Sequence, residues 1–276
     1  MHQERVSTDV HIFTSELYAQ VTAGLIVTPE GCILIDTLPF PVETADILRA
    51  TAQSCAKGIK HIIFTHHHAD HTYGAYLLPQ AEIVSYAQTR DLLIERAIPT
   101  LERDKAQTPE LADVQIMLPG VVFSEGELVL HLGGKTIRLI HSPGHTPDSI
   151  VAYVEEDKVL FAADTVMPIP VIVDGDLEDM IESLQKLHAL QVENMVQGHG
   201  EVILRGEVPL AIDRSIKYLR TIEKLVKKTI ARGQPRASLQ EMNIEDCGLS
   251  RIPLNGLVQQ LHIANLLTLY DRFQNN

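Results

Sequence analysis

Short apolar stretches rich in Val, Ile and Thr, separated by Gly, Pro or acidic turns, recur along most of the chain. Such stretches are typical of β-strands, and they lie at residues 10–14, 21–28, 32–35, 61–65, 82–85, 121–123, 127–131, 135–140, 149–154, 158–162 and 194–197. Apolar residues that recur every three or four positions predict helices, which we place at residues 42–57, 177–190, from 209 onward and at 254–270. This order predicts two facing sheets with helices outside them.

The bulk composition indicates a soluble globular chain with a substantial core. Of its 276 residues 45% are hydrophobic, and its mean hydropathy is near zero. No apolar run reaches the roughly 18 residues that a membrane span requires, and the N-terminus lacks the apolar core of a signal peptide. We therefore expect no membrane association and a cytoplasmic location.

The net charge argues against a nucleic-acid-binding protein, and the cysteine content argues against a disulfide-rich one. The net charge of −13 repels a phosphate backbone, so nucleic-acid binding is not expected. The three cysteines, Cys32, Cys55 and Cys247, lie far apart and show neither metal-ligand spacing nor a disulfide framework. We therefore expect a chain without disulfides, which suits a reducing cytoplasm.

The sequence Thr-His-His-His-Ala-Asp-His directly follows a predicted strand. Neutral imidazole and carboxylate are the ligands that zinc, iron and manganese accept. His66 and His68, two apart in an extended segment, point the same way and can reach one ion, whereas His67 points the opposite way and is excluded. Asp70 and His71 face another direction, so they suit a second ion, and pairs of ions about 3.5–4 Å apart recur in hydrolysis.

Three downstream residues can complete such a site. His145 lies in a Ser-Pro-Gly-His-Thr-Pro turn, Asp164 follows an apolar strand, and His199 lies in a Gly-His-Gly sequence after another strand. Ligands at strand ends converge on one edge of a sheet, where sites are usually built. Each residue alone has a simpler interpretation as a turn, cap or solvated residue. Together with the His-rich loop they supply the ligand count for two ions, and the two oxygens of Asp164 can bridge them.

These motifs resemble the metallo-β-lactamase superfamily in order and spacing over about residues 10–200: His66-x-His68-x-Asp70-His71, Gly144-His145-Thr146, Asp164 and Gly198-His199-Gly200. The resemblance implies an α/β (α+β) fold, a four-layer αβ/βα sandwich with the metals at one edge. It implies a first ion held by His66, His68 and His145, and a second ion held by Asp70, His71 and His199. In this arrangement Asp164 bridges the two ions. It also implies that Asp36, after an early strand, supports the ligands.

The resemblance implies a catalytic domain at residues 1–206 and a helical C-terminal extension at residues 207–276 packed on it. Glyoxalase II has a helical extension of this kind. The extension can cover the active site or mediate homodimerisation, and the sequence leaves both open.

Departures from the motifs of some branches indicate which branch of the superfamily the chain resembles. The zinc β-lactamases usually carry a Cys ligand or an altered first loop, whereas this chain has Asp164 and the full first loop, so cleavage of antibiotics is not expected. Flavodiiron proteins have Glu where His68 stands. The pattern is closer to glyoxalase II, the acyl-homoserine lactonases and ribonuclease Z.

The activity implied is hydrolysis by a hydroxide shared between two metal ions. Two Zn²⁺ per chain are expected, with Fe or Mn as alternatives, and Asp70 is the expected catalytic residue that orients the nucleophile and moves its proton. The expected partner is a small molecule with a carboxylic ester, thioester or lactone bond. The apolar, Pro-containing loops 37–41 and 166–170 are expected to wall its pocket or to pack under the helical extension.

Three other functions remain open. They are a phosphodiesterase or nuclease of the same fold, a persulfide dioxygenase-like oxidoreductase with mononuclear iron, and a non-catalytic protein that retains metal. The acidic net charge argues against the first, and the intact ligand set argues against the last.

Overall fold

The computed structural model describes residues 1–275 and contains two β-sheets. The first sheet has seven strands in chain order, namely β1 (His2–Arg5), β2 (Val10–Thr14), β3 (Thr22–Thr28), β4 (Gly31–Ile35), β5 (Ile59–Ile63), β6 (Glu82–Tyr86) and β7 (Val121–Phe123). Strands β1 to β4 pair antiparallel, and β4 to β7 pair parallel. The parallel pairing of β4 with β5 places the residues that follow both strands at one edge of the sheet.

The second sheet has six strands in the order β13-β12-β11-β10-β9-β8. They are β8 (Glu127–Leu132), β9 (Lys135–His141), β10 (Ile150–Val154), β11 (Val159–Ala163), β12 (Asn194–Gln197) and β13 (Ile203–Leu204). All neighbours pair antiparallel except β11 and β12, which are parallel. That parallel pair brings the residues after β11 and after β12 together in the same way.

Within the described part of the chain, seven α-helices accompany the sheets, namely α1 (Pro41–Thr51), α2 (Ala69–Thr72), α3 (Ala87–Leu92), α4 (Ile98–Lys105), α5 (Leu177–Leu187), α6 (Val208–Ala231) and α7 (Leu257–Asn275). A π-helical turn, Leu93–Ala97, joins α3 to α4. Short 3₁₀ turns lie at Tyr73–Leu77, Pro109–Leu111, Arg236–Glu241, Ile244–Cys247 and Pro253–Gly256. Across residues 1–275, no helix combines the length and the apolarity needed to cross a membrane.

The two sheets face each other across a layer of aliphatic side chains. Ile33 and Ile63 from the first sheet and Leu139 and Phe161 from the second are almost completely buried there. Burial of each such side chain contributes about 1.5–3 kcal/mol to folding. The sheets approach so closely that a Cβ atom at Gly24 would lie 2.0 Å from the Phe161 ring, so this position requires glycine.

Helices cover the outer face of each sheet. Ile47 of α1 packs with Leu34 of the first sheet, while Leu184 of α5, Leu219 of α6 and Leu266 of α7 share one buried cluster on the second sheet. These layers confirm the predicted four-layer αβ/βα sandwich with C-terminal helices. Because this cluster includes residues on both sides of position 206, the helical extension shares a core with the second sheet. The division into domains at 1–206 and 207–276 stays a prediction.

Two predicted helices have different bounds in the structure. The helix predicted at 42–57 ends at Thr51, and turns lead on to β5. The helix predicted at 254–270 begins only at Leu257 and continues to Asn275. Its start is displaced because Leu254 and Asn255 adopt left-handed backbone conformations, with φ of +52° and +54°, which no right-handed helix contains.

The expectation of a chain without disulfides is wrong, because Cys32 and Cys55 form a disulfide across a sequence separation of 23 residues. Cys32 lies in β4 and Cys55 in the turns after α1, and the crossover from β4 through α1 to β5 brings their Cα atoms to 5.8 Å. Cys247 is a free, buried cysteine. The cysteines therefore do not support the predicted reducing compartment.

We expect thiol titration of the denatured, unreduced protein to find one reactive thiol per chain, that of Cys247. After reduction the same titration should find three. Alkylation before and after reduction, followed by peptide mass analysis, identifies the bonded pair. Three thiols before reduction would show that Cys32 and Cys55 are not joined.

A buried histidine links α6 to α7. His262 is fully buried, and Tyr218 Oη lies 2.9 Å from its Nδ1. The Tyr218 hydroxyl also accepts from Asn265 Nδ2 at 3.3 Å, which leaves its own proton available to Nδ1 of a neutral histidine. Burial lowers the pKa of His262 to about 4. Protonation therefore favours the unfolded chain, whose histidine has a pKa of about 6.5.

We expect the free energy of unfolding to fall as the pH drops below about 6.5. In that range His262 binds a proton in the unfolded state but stays neutral in the folded state. His262 alone should lower the free energy of unfolding by about 2 kcal/mol between pH 7 and pH 5. The variant His262→Gln should show a correspondingly flatter difference in the free energy of unfolding between the two pH values. The exposed His188 provides a control, since His188→Gln should keep the wild-type pH dependence. Equal pH dependence in all three proteins would contradict the assignment.

Candidate metal centre

Strand ends place the predicted ligands at one edge of the sandwich. His66 and His68 follow β5, and Asp70 and His71 lie in the short helix α2. In the second sheet, His145 lies in the turn between β9 and β10, while Asp164 and His199 follow the parallel strands β11 and β12. The two sheets therefore meet at this edge with all seven side chains.

The seven residues form two groups. Within each group, the candidate ligand atoms lie within 4.8 Å of one another. One group contains His66, His68, His145 and Asp164, and the other contains Asp70, His71 and His199. These are the two sets that the family resemblance implied for a first and a second ion. The structure brings all the predicted ligands together, and their role as ligands stays a proposal.

Asp164 lies between the two groups. Its Oδ2 is 3.2 Å from His145 Nε2 and 3.6 Å from His199 Nε2, and its Oδ1 is 3.3 Å from His71 Nε2. A Cβ atom at Gly198 would lie 1.8 Å from Asp164 Oδ1, so the glycine of the Gly-His-Gly sequence is needed for this close approach. One carboxylate thus faces both groups.

Asp36 orients two of the histidines. Its Oδ2 accepts from His71 Nδ1 at 2.7 Å and from the Thr65 hydroxyl at 2.7 Å, and its Oδ1 accepts from the Thr65 backbone N–H at 2.9 Å. Because the Thr65 hydroxyl donates its proton to Asp36, its oxygen accepts from His66 Nδ1 at 3.1 Å. Asp36 holds a left-handed backbone conformation with φ of +55°, a strain of about 1–3 kcal/mol that is typical of functional sites.

The other three histidines are oriented in the same way by acceptors outside the centre. His145 Nδ1 donates to the Val171 carbonyl at 3.0 Å, and His199 Nδ1 donates to the Ala19 carbonyl at 2.9 Å. His68 uses its other nitrogen, Nε2, which lies 3.2 Å from Asp174 Oδ2. Each bond fixes the proton on the outer nitrogen, so the inner nitrogen presents a lone pair.

This arrangement fits a metal ion. His145 Nε2 and His68 Nδ1, both oriented as acceptors, lie only 3.1 Å apart. In addition, the buried atoms His66 Nε2, His71 Nε2 and Asp164 Oδ1 have no hydrogen-bond partner among residues 1–275. Buried acceptors without donors cost several kcal/mol, and a cation between them removes that cost. Nitrogen and oxygen donors suit zinc, iron or manganese.

The pKa shifts of His66, His145 and Asp164 also favour the ligand forms of these three residues. Burial lowers the pKa of His145 to about 4 and that of His66 well below its usual range. Burial would raise the pKa of Asp164, but the histidines around it hold that pKa well below its usual range. Burial would also lower the pKa of His71, but the carboxylates beside it, Asp164 foremost, raise it well above its usual range.

His67 does not belong to either group. Its Nδ1 lies 3.0 Å from Asp148 Oδ1, and both residues are buried. The exclusion of His67 from the ligands stays a prediction.

Several supporting groups escaped the sequence analysis. The Val171 and Ala19 contacts use backbone carbonyls, which every residue has, so no side-chain pattern could identify them. Asp174 follows a Pro-containing loop without any motif. Tyr18 lies in the cavity wall, and the negative charge of Asp70, with burial, raises the pKa of its hydroxyl, which stays a donor.

The centre forms the floor of a cavity of about 460 Å³. The five largest aliphatic side chains of its wall are those of Met167, Val171, Leu254, Leu257 and Leu261. The predicted wall loop 166–170 thus contributes Met167. The other predicted loop, 37–41, contributes none of the cavity's described lining residues, because its Leu38 is buried in the first sheet's outer core. The last three wall residues come from the helical extension, which therefore reaches the site.

Residues 18–206 match the family model described as the metallo-beta-lactamase superfamily. The chain therefore belongs to the metallo-β-lactamase superfamily, as the motifs indicated. The matched region contains all seven residues of the two groups and ends just before α6. The superfamily is metal-dependent, in agreement with the donor set.

Individual relatives carry hydrolase names. The chain is 30% identical over 177 residues to the hydroxyacylglutathione hydrolase of Rhodopseudomonas palustris, covering 63% of this chain and 61% of that one. It is 25% identical over 229 residues to the atrochrysone carboxyl ACP thioesterase of Claviceps purpurea, covering 83% and 66% respectively. The chain thus spans about three fifths to two thirds of the length of the curated relatives it matches.

A solved structure shows that the fold extends beyond the family match. The sec-alkylsulfatase Pisa1 from Pseudomonas sp. superposes with a TM-score of 0.74 at 15% identity. The match covers 98% of this chain and 50% of that one. The likeness concerns the fold alone, and it includes the helical extension.

We expect Asp164→Ala to remove most of the bound metal, because this carboxylate faces both groups. Metal affinity should fall at least about 100-fold, more than the loss of a supporting residue causes. Metal content after purification without added metal, and competition with a chelator, measure the effect. His131→Gln, which changes a histidine of β8 outside both groups, should keep the wild-type content. Equal metal content in both variants would contradict the site.

Proposed function

We propose that this protein is a hydrolase that uses two metal ions to cleave a carboxylic ester, thioester or lactone. The observation that supports it most directly is Asp164, whose two oxygens face two groups of ligand atoms on the floor of an open cavity. Two groups support two ions rather than one, and the donor set suits Zn²⁺, with Fe or Mn as alternatives.

The residues of the chain would divide the chemistry as follows. When bound, a pair of divalent cations supplies a water of lowered pKa and a positive field for the developing oxyanion. Asp70 lines the cavity with its side chain 17% exposed, and its Oδ2 lies 3.4 Å from His199 Nε2. We assign to Asp70 the orientation of the attacking water and the transfer of its proton to the leaving group. Tyr18, a hydroxyl donor in the cavity wall, can hydrogen-bond the substrate.

The cavity wall supports an acyl substrate. Its five largest aliphatic side chains can bury a hydrocarbon group, while the polar groups of the centre face the reacting carbon. The relatives named as a hydroxyacylglutathione hydrolase and an acyl carrier protein thioesterase favour a thioester. A small-molecule acyl group joined to a thiol or alcohol is therefore the proposed substrate class.

A substrate panel tests the proposal on metal-loaded protein. It should contain esters, thioesters and lactones with acyl chains of increasing length, and phosphodiesters at low salt. Turnover of the acyl compounds, with loss of that turnover in Asp164→Ala, supports the proposal. Turnover restricted to phosphodiesters would contradict it, as would one iron per chain with oxygen consumed in the presence of a persulfide.

We expect Leu254→Ala to shift the preference toward longer acyl groups, because it enlarges the apolar wall. The value of kcat/KM for chains about two to three carbons longer than the wild-type optimum should rise roughly tenfold, the usual value of an added methylene contact. Ile252, two residues earlier in the same segment, is 81% exposed and lies outside the cavity wall. Ile252→Ala is thus a matched control that should keep the wild-type chain-length profile. Unchanged preference in Leu254→Ala would place the acyl group elsewhere.

A further inference from the structure

Two of the proposed ligands depend on one loop, residues 166–174. His145 Nδ1 donates to the Val171 carbonyl at 3.0 Å, and His68 Nε2 lies 3.2 Å from Asp174 Oδ2. The middle of this loop has no helix or strand of its own, so its buried backbone groups must find partners elsewhere. The position of Val171 therefore depends on whatever holds its neighbours.

Asn265 of α7 holds both neighbours of Val171. Its Nδ2 donates to the Pro170 carbonyl at 2.7 Å, and its Oδ1 accepts from the Ile172 N–H at 3.0 Å. The Asn265 side chain is completely buried. Loss of this amide would therefore leave a buried donor and a buried acceptor of the loop without partners, at a cost of about 1–3 kcal/mol each.

Two further residues of the extension strengthen this attachment. Tyr218 of α6 accepts a hydrogen bond from Asn265 Nδ2 at 3.3 Å, which fixes the orientation of the amide. Arg272, two helical turns beyond Asn265, donates from Nη2 to the carbonyls of Ile172 and Val173 at 3.2 and 3.1 Å. Positions 265 and 272 lie on one face of α7 because seven residues complete two turns.

We propose that Asn265 is a positioning residue of the metal centre: it holds the Val171 carbonyl where that carbonyl orients His145. The C-terminal extension then contributes to metal affinity as well as to the cavity wall. This inference rests on the proposed metal centre. It requires no particular substrate, since the contacts end at a ligand nitrogen.

Gln259 offers a matched control on the same helix. Its Oε1 accepts from the Ile244 N–H at 3.0 Å, and its Nε2 donates to the Met242 carbonyl at 2.9 Å. Like Asn265 it clamps a backbone segment with both ends of an amide, but this segment belongs to the extension and lies away from the centre. Loss of either amide should lower the melting temperature, while only one of them should affect metal binding.

The experiment measures Zn²⁺ affinity by competition with a chromogenic chelator, and the visible spectrum after Co²⁺ loading, for wild type, Asn265→Ala and Gln259→Ala. We expect Asn265→Ala to bind Zn²⁺ about tenfold more weakly, the usual effect of losing an outer support of a ligand, and to change the Co²⁺ spectrum. Gln259→Ala should keep the wild-type affinity and spectrum. Wild-type affinity in Asn265→Ala, or equal weakening in both variants, would overturn the proposal.

A second variant keeps the test valid if Asn265→Ala does not fold. Arg272→Met removes two bonds to the same loop from a partly exposed side chain, and it should weaken Zn²⁺ binding about threefold, a smaller share of the same support. Unchanged affinity in Arg272→Met, with Asn265→Ala unfolded, would count against the proposal. If the wild-type protein binds no Zn²⁺, the metal centre itself is contradicted. If the wild type and the variant bind Zn²⁺ equally well, only the role of the loop is contradicted.

Discussion

Lone pairs of five buried or half-buried imidazoles and the oxygens of two carboxylates point into one space, and without a positive charge between them this arrangement is unfavourable. The shortest contact of this kind, His145 Nε2 to His68 Nδ1 at 3.1 Å, joins two atoms whose outer partners make both of them acceptors. The surrounding structure maintains this geometry against repulsion. Three features help to maintain it: the left-handed backbone of Asp36, the glycine at position 198 and the loop that is attached to α7.

The sequence predicted the inner part of this arrangement and, apart from Asp36, missed the outer part. His66, His145, Asp164 and His199 were predictable because imidazoles and carboxylates at strand ends are rare and conspicuous, and because strand ends meet at sheet edges. The proposed ligands His145 and His199 are supported by backbone carbonyls, whose positions depend on tertiary packing. Local sequence contains no signal for a carbonyl that faces a ligand from a loop 26 residues away, as that of Val171 does.

The same limit applies to the fold. Strands of alternating or continuous apolar residues were predictable, since burial on one or both faces determines their pattern. The start of α7 was not, because the left-handed turn at Leu254 and Asn255 runs against the helical periodicity of the segment. The disulfide between Cys32 and Cys55 was missed for a related reason, since only the crossover through α1 makes these distant residues neighbours.

The extension meets the site through successive turns of α7. Leu257 and Leu261, four residues apart and half-buried, line the cavity, whereas His262 and Asn265 are fully buried against α6 and the loop. A change at a cavity position alters the shape of the cavity without touching the amide that holds the loop. Cavity shape and the position of the loop can therefore vary independently on one helix, because side chains in successive turns contact different partners.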